Sequence, residues 1–96
     1  MIFMYDIKRT TDFKKQLKKV KDKKSQENIM SKITEIANTV EDNPDHYKNL
    51  KNPMQRYKRA HVNKGYVLIF RVDKENKSVI FFDYDHHDNI YKKKFV

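Results

Sequence analysis

Tyr66-Val67-Leu68-Ile69-Phe70-Arg71-Val72 is the stretch that decides the architecture. It is rich in β-branched and aromatic residues, which suit a pleated, buried surface. It is apolar at both parities up to Phe70, as in a strand covered on two faces. Tyr66, Leu68, Phe70 and Val72 form its expected core face, and Val67, Ile69 and Arg71 its other face. A chain with one such strand needs strands on both sides of it.

The flanks supply them. Upstream, Tyr57 to Val62 alternates loosely, with Ala60 and Val62 suited to packing and Tyr57, Arg59 and His61 on the opposite face. Lys58 then points to the packed side, away from Arg59 and His61. Downstream, Asp73-Lys74-Glu75-Asn76-Lys77 reads as a hairpin loop and Val79 to Tyr84 as the next strand. Further upstream, Ile2 to Lys8 is a short strand. Thr10, Thr11 and Asp12 offer capping oxygens for a helix with Phe13, Leu17 and Val20 inward. Ser25 is the expected cap of a second helix with the stripe Ile29, Ile33, Ile36, Ala37, Val40, ended by Glu41-Asp42-Asn43-Pro44. Residues 43–55 form a polar connection, and His87 to Lys94 a short helix or an extended tail. The expectation is one α+β domain over residues 1–96: an N-terminal strand, a two-helix hairpin, then three antiparallel strands completing a four-stranded sheet, with the helices on one face.

Charge narrows the function. Lys and Arg number 22 against 13 acids, a net +9 over 96 residues, which points to a polyanionic partner. Seven lysines and one acid, Asp22, lie between Lys14 and Lys24, most simply a solvated helix face. With no cysteine there is no disulfide framework, thiolate zinc site or thiol nucleophile, and the single glycine, Gly65, excludes a phosphate-binding glycine loop. Apolar Met1 to Tyr5 is followed at once by Asp6, Lys8 and Arg9, the reverse of a signal peptide. No apolar run is long enough to span a membrane. A cytoplasmic protein is expected.

Two motifs carry a resemblance. Tyr57-Lys58-Arg59-Ala60-His61-Val62-Asn63-Lys64-Gly65-Tyr66-Val67-Leu68-Ile69-Phe70 resembles the middle strand pair of YafQ-type toxins, and Asp85-His86-His87-Asp88-Asn89-Ile90-Tyr91 resembles the closing motif of the RelE/ParE superfamily, with a histidine four residues before an aromatic. Lys48-Asn49-Leu50-Lys51 is similar to the basic segment that enters the sheet in that superfamily. The resemblance implies a RelE-like toxin of a type II toxin–antitoxin system. It implies a cofactor-free mRNA interferase that meets mRNA and rRNA on the ribosome and is held by an acidic antitoxin. The ParE branch, which shares the fold and inhibits DNA gyrase, is the first alternative, and a non-catalytic nucleic-acid-binding module the second.

Metal-free RNA cleavage needs a base for the 2′-hydroxyl, an acid for the leaving 5′-oxygen and cations for the phosphate. His87 matches the closing histidine and is the expected acid, with Tyr91 as a stacking surface. His61 matches the strand histidine, as base or phosphate ligand. Lys48 stands where the YafQ pattern has a histidine, Gly65 where the family has an aspartate, and Val67 where the RelE branch has an arginine. The base then falls to Lys48, His46, His61 or Asp85. Arg59, Arg71, Lys51 and Lys92 are expected RNA contacts, with Lys93 and Lys94 beside Lys92. His86, next to His87, should face the other way and be structural. No third ligand at diagnostic spacing accompanies the pair, so no metal is expected.

Overall fold

The computed structural model describes residues 5–52, 54–90 and 92. The elements run β1 (Asp6–Arg9), α1 (Thr11–Lys18), α2 (Lys23–Asp42), β2 (Lys58–Val62), β3 (Tyr66–Asp73), β4 (Ser78–His86) and α3 (His87–Ile90). This is the expected α+β order, and the closing segment begins as a short helix. Among the described residues no helix is long and apolar enough to cross a membrane.

Local chemistry sets the helix ends. Thr10 is extended, and its hydroxyl accepts the Phe13 amide at 3.1 Å. α1 stops at Lys18 because the next amides bond three residues back, Lys19 to Gln16 and Val20 to Leu17. Val20 therefore leaves the helix, yet it still packs on the core. The cap of α2 is Asp22, not Ser25. Its carboxylate accepts the Ser25 amide at 2.9 Å and the Ser25 hydroxyl at 2.7 Å. These bonds hold the Asp22 carboxyl below its ordinary range.

The sheet order is β1-β4-β3-β2. β2–β3 and β3–β4 are antiparallel, and β1 lies parallel to β4. Two cores flank the sheet. On one face Phe13, Ile29, Ile33, Ile36 and Val40 of the helices meet Ala60, Leu68, Phe70, Val79, Phe81 and Tyr84. The reverse face is covered as well, in keeping with a central strand that is apolar at both parities. Leu50, Met54 and Tyr57 from the connection, with Ile90 of α3, close over Val67 and Ile69, and Phe82 packs against them. Tyr66, expected in the core, is instead exposed at 37%.

One irregularity sets the register. Ile69 pairs with Asp83 but Phe70 pairs with Phe81, so Phe82 is an extra residue, a β-bulge. Phe81 stays on the helix side, Phe82 turns to the reverse side, and every later side chain of β4 changes face. His61 of β2, Val67 of β3 and Asp85 of β4 thereby form one row on the reverse face.

Candidate nucleic-acid site

The connection before β2 is a fifth, irregular edge. Leu50 donates its amide to the Tyr57 carbonyl at 2.8 Å, Arg59 donates to the Lys48 carbonyl at 3.3 Å, and Asn49 bridges Lys58. Lys58 fastens this pairing. It is buried, and its Nζ donates to the Tyr47 carbonyl at 3.0 Å and to Asn49 Oδ1 at 3.1 Å. Desolvation holds its pKa below the usual lysine range, partly countered by Asp45, while Lys74 adds to the lowering. As expected, Lys58 points to the packed side.

Two adjoining hollows result. One, of about 430 Å³, is lined by Lys32, His46, Tyr47, Lys48, Arg59, Ala60 and His61. The other, of about 490 Å³, is lined by Lys48, Asn49, Leu50, Lys51 and Arg59. Sharing Lys48 and Arg59, they form one basic groove along the edge of β2. It unites the expected Lys48, Lys51, Arg59 and His61. It adds Lys32, which sequence reading missed because it belongs to α2. Lys32 is held by Glu35 at 2.9 Å.

His87 stands elsewhere, at the end of β4. His61 and Asp85 are two strands apart, roughly 10 Å at the usual strand spacing, and His87 lies two residues beyond Asp85. Its backbone is anchored: the His87 amide donates to the Gly65 carbonyl at 2.8 Å. Gly65 lies in the left-handed region at φ +82°, and a Cβ there would sit 3.0 Å from His86 Nε2. His86 accepts the Asp88 amide at Nδ1, 3.2 Å away, and stacks on His87 with ring centroids 4.5 Å apart. His87 Nδ1 faces Asp88 Oδ1 at 3.0 Å, with the side chain 47% exposed. Asp85 Oδ1 accepts the His86 amide at 2.7 Å and the Asn89 side-chain amide at 3.2 Å, bracing the turn.

One expected residue falls away from this arrangement. Arg71 lies four residues along β3 from Val67, roughly 13 Å at strand rise, and its guanidinium sits 6.0 Å from the centre of the Tyr57 ring. Face alternation put it on the correct side but not near His61. Lys92 is exposed and is bonded through its amide to the Asn89 carbonyl at 3.1 Å. Tyr91, Lys93 and Lys94 lie outside the described residues.

The imidazoles of His86 and His87 and the Asp88 carboxylate offer ligand atoms within 4.8 Å of one another, a set that suits a zinc-like ion. The Nδ1 of His86 accepts the Asp88 amide and the Nδ1 of His87 faces the Asp88 carboxylate, so the three residues form a hydrogen-bonded turn. Chemically the arrangement offers an imidazole beside a carboxylate just past β4, a second imidazole on β2 at the far side of the sheet, and a cationic groove beside that second imidazole.

The family described as the ParE toxin of type II toxin–antitoxin systems, parDE, matches residues 7–91. A Methanocaldococcus jannaschii protein bearing the name RelE4 is 50% identical over 93 residues, spanning 95% of this chain and 95% of that one. The intact E. coli RelBE toxin–antitoxin complex contains a chain that superposes with a TM-score of 0.67 at 19% identity, over 85% of this chain and 95% of that chain. E. coli YafQ superposes with a TM-score of 0.62 at 18% identity, over 91% of this chain and 98% of that chain. At these identities the two superpositions describe a shared fold.

Proposed function

The chain belongs to the RelE/ParE superfamily of type II toxin–antitoxin toxins, and from that premise we propose that it is a metal-independent endoribonuclease that cuts mRNA on the ribosome and is restrained by an acidic antitoxin. The observation that carries the reading is the placement of two histidines around one row of the sheet. His61 lies at the basic groove, and His87 lies past Asp85 with its Nδ1 turned to Asp88.

In the proposed reaction the 2′-oxygen attacks the adjacent phosphorus while the bond from phosphorus to the 5′-oxygen breaks. His61 or Lys48 takes the 2′-proton, and His87 gives a proton to the leaving 5′-oxygen. The products are a 2′,3′-cyclic phosphate and a free 5′-hydroxyl. Asp88 takes up Nδ1 of His87, which leaves Nε2 as the atom that gives the proton. Arg59, Lys48 and Lys51 hold the phosphate charge, and Tyr91 and Lys92 extend the contact to flanking nucleotides. Each well-placed proton-transfer group contributes roughly 10²–10⁴-fold, about 3–5 kcal/mol of barrier.

The rival is a gyrase-directed protein without chemistry of its own, favoured by the ParE description of the matching family. Primer extension on mRNA, with and without ribosomes, separates them. Discrete cuts that need ribosomes and vanish in His87→Ala support the proposal. Cuts that persist in His87→Ala remove the acid assignment, and absence of cleavage in every condition favours the rival.

A further inference from the structure

A hollow larger than either part of the basic groove lies away from it, where the helix hairpin turn meets the end of the sheet. It measures about 560 Å³ and is lined by Lys19, Lys21, Asp22, Asn63, Tyr66 and Tyr84 among others. That size falls within the usual range for small-ligand sites, roughly 300–1,000 Å³.

Its parts are built rather than incidental. Tyr66 is one of two large apolar residues exposed among those described, and its ring stacks on Tyr84, with centroids 5.1 Å apart and planes 13° apart. The Tyr84 hydroxyl accepts from Asn63, whose amide also donates to the Ser25 carbonyl and whose oxygen accepts from Asn28. Asn63 takes φ +54°, a conformation asparagine tolerates better than most residues. The side chain thus pins the β2–β3 turn to α2 and fixes the floor. The rim also carries Asp22 and Asp85, whose carboxylate oxygens are tied down by Ser25 and by the His86 amide and Asn89. Lys19 and Lys21 have no acidic partner among the described residues. An aromatic surface beside two lysines that form no ion pair suits a ligand with a flat ring and a phosphate, which would reach the lysines past the two carboxylates of the rim.

A ladder of rings joins this hollow to the proposed acid. Tyr66 meets His86 edge-on at 5.5 Å, and His86 stacks on His87 at 4.5 Å. Resting on the ribonuclease reading, we infer that the hollow is a nucleotide subsite for the single-stranded RNA on one side of the cut, where a base packs on the exposed part of Tyr66 and its phosphate meets Lys19 and Lys21. The lysine run entering α2 then has a defined task at Lys19 and Lys21, not only a general charge. Stacking of this kind tolerates any base, so the subsite grips without choosing sequence.

The test uses a fluorescent 2′-O-methyl oligoribonucleotide, which cannot be cut by attack of its own 2′-oxygen. Binding is read by anisotropy for the wild type, Tyr66→Phe, Tyr66→Leu, the double variant Lys19→Gln/Lys21→Gln and a control pair, Lys14→Gln/Lys15→Gln. Melting curves identify any variant that has lost its fold, and Tyr66→Leu retains an apolar contact with Tyr84. Tyr66→Phe should bind as the wild type and Tyr66→Leu roughly 5- to 100-fold more weakly, the range for one lost base–aromatic stack. The Lys19/Lys21 pair should lower the slope of log affinity on log salt by about 1.4, at roughly 0.7 per phosphate contact, and the control pair by less. Equal binding by Tyr66→Leu and the wild type, or equal slopes for the two lysine pairs, overturns the inference. Competition by poly-L-glutamate with the same dependence on Tyr66 also overturns it, because the occupant would then be an acidic chain. Binding is read without cleavage. If the wild type cuts no mRNA but shows the Tyr66 dependence, the ribonuclease reading fails alone. If it cuts and Tyr66→Leu binds normally, the subsite fails alone.

Discussion

Replacing Gly65 by alanine should damage both stability and the proposed cleavage, through two separable effects. The backbone effect comes from φ +82°, where an L-side chain costs roughly 1–2 kcal/mol. The packing effect comes from the new Cβ, 3.0 Å from His86 Nε2, which forces a shift of a few tenths of an ångström. His86 has little room to give, since it contacts Tyr66 and His87 and accepts the Asp88 amide. That adds about 1 kcal/mol, the low end for overpacking. The expected total is about 2–3 kcal/mol, a fall in Tm of about 10–20 °C for a domain of this size. In a His86→Ala background only the backbone effect should remain, so the double-mutant cycle should show about 1 kcal/mol of coupling. Urea denaturation followed by circular dichroism measures all four proteins. Cleavage by Gly65→Ala should drop about tenfold at a temperature where it is still folded, because small misplacements of reacting groups are costly. A loss below about 1 kcal/mol, or the same loss with and without His86, would refute the reasoning.

Three further outcomes follow from the geometry. Lys58 has its folded pKa lowered mainly by desolvation. Between that value and the unfolded value the unfolded chain binds more protons, so stability should rise with pH there. Denaturant titrations from about pH 8 to about pH 10.5 should show the wild type gaining on Lys58→Met, and a flat difference would remove the buried-charge account. Asp22→Ala should lower stability at neutral pH, and the deficit should fade as pH falls below 3.8 through the lowered folded pKa of Asp22. A deficit that is constant down to pH 2 would mean that the carboxylate is not what caps α2. Lys48→Ala and Arg59→Ala should each cut the salt slope of RNA binding by roughly 0.7. Arg71→Ala should leave that slope alone and cost about 0.5–1 kcal/mol of stability through its contact with Tyr57; a changed slope would return Arg71 to the site.

Periodicity exposed the elements because each apolar stripe had one consistent period. Ile29 to Val40 followed a helix, and Val67 to Phe70 a strand covered on both faces. What stayed hidden depended on non-local choices. The bulge at Phe82 breaks the alternation of β4 without any special residue, so the face of Asp85 was not readable. Leu50 and Met54 show no period of their own, so the second core looked like a polar loop. Asp22 and Ser25 are both good caps three residues apart, and only the chain path decides which one accepts. His61, Lys48, Lys51 and Arg59 converge because the segment around Lys48–Leu50 pairs with the start of β2. Lys32 joins them across the helix layer with no signal in its own neighbourhood. Gly65 did carry a signal: it is the only glycine in the chain, placed where the backbone must turn left-handed beside His86.

β4 is the strand on which the rest of the sheet depends. β1 pairs with it on one side and β3 on the other, with Asp6 opposite Ser78 across more than seventy residues of chain. Phe13 of α1 stacks on Phe81, and Gln16 accepts the Tyr84 amide. A growing chain that has not yet delivered Ser78–His86 therefore holds a helix hairpin and a β2–β3 hairpin that meet along α2 and through Asn63, while β1 has no strand to pair with and Phe13 of α1 lacks Phe81 to stack on. Such long-range closure is slow to form, and His87 is delivered only after it. If the proposed activity holds, translation itself acts as a safety catch: nothing can be cut until the ribosome has made β4 and the turn that follows it.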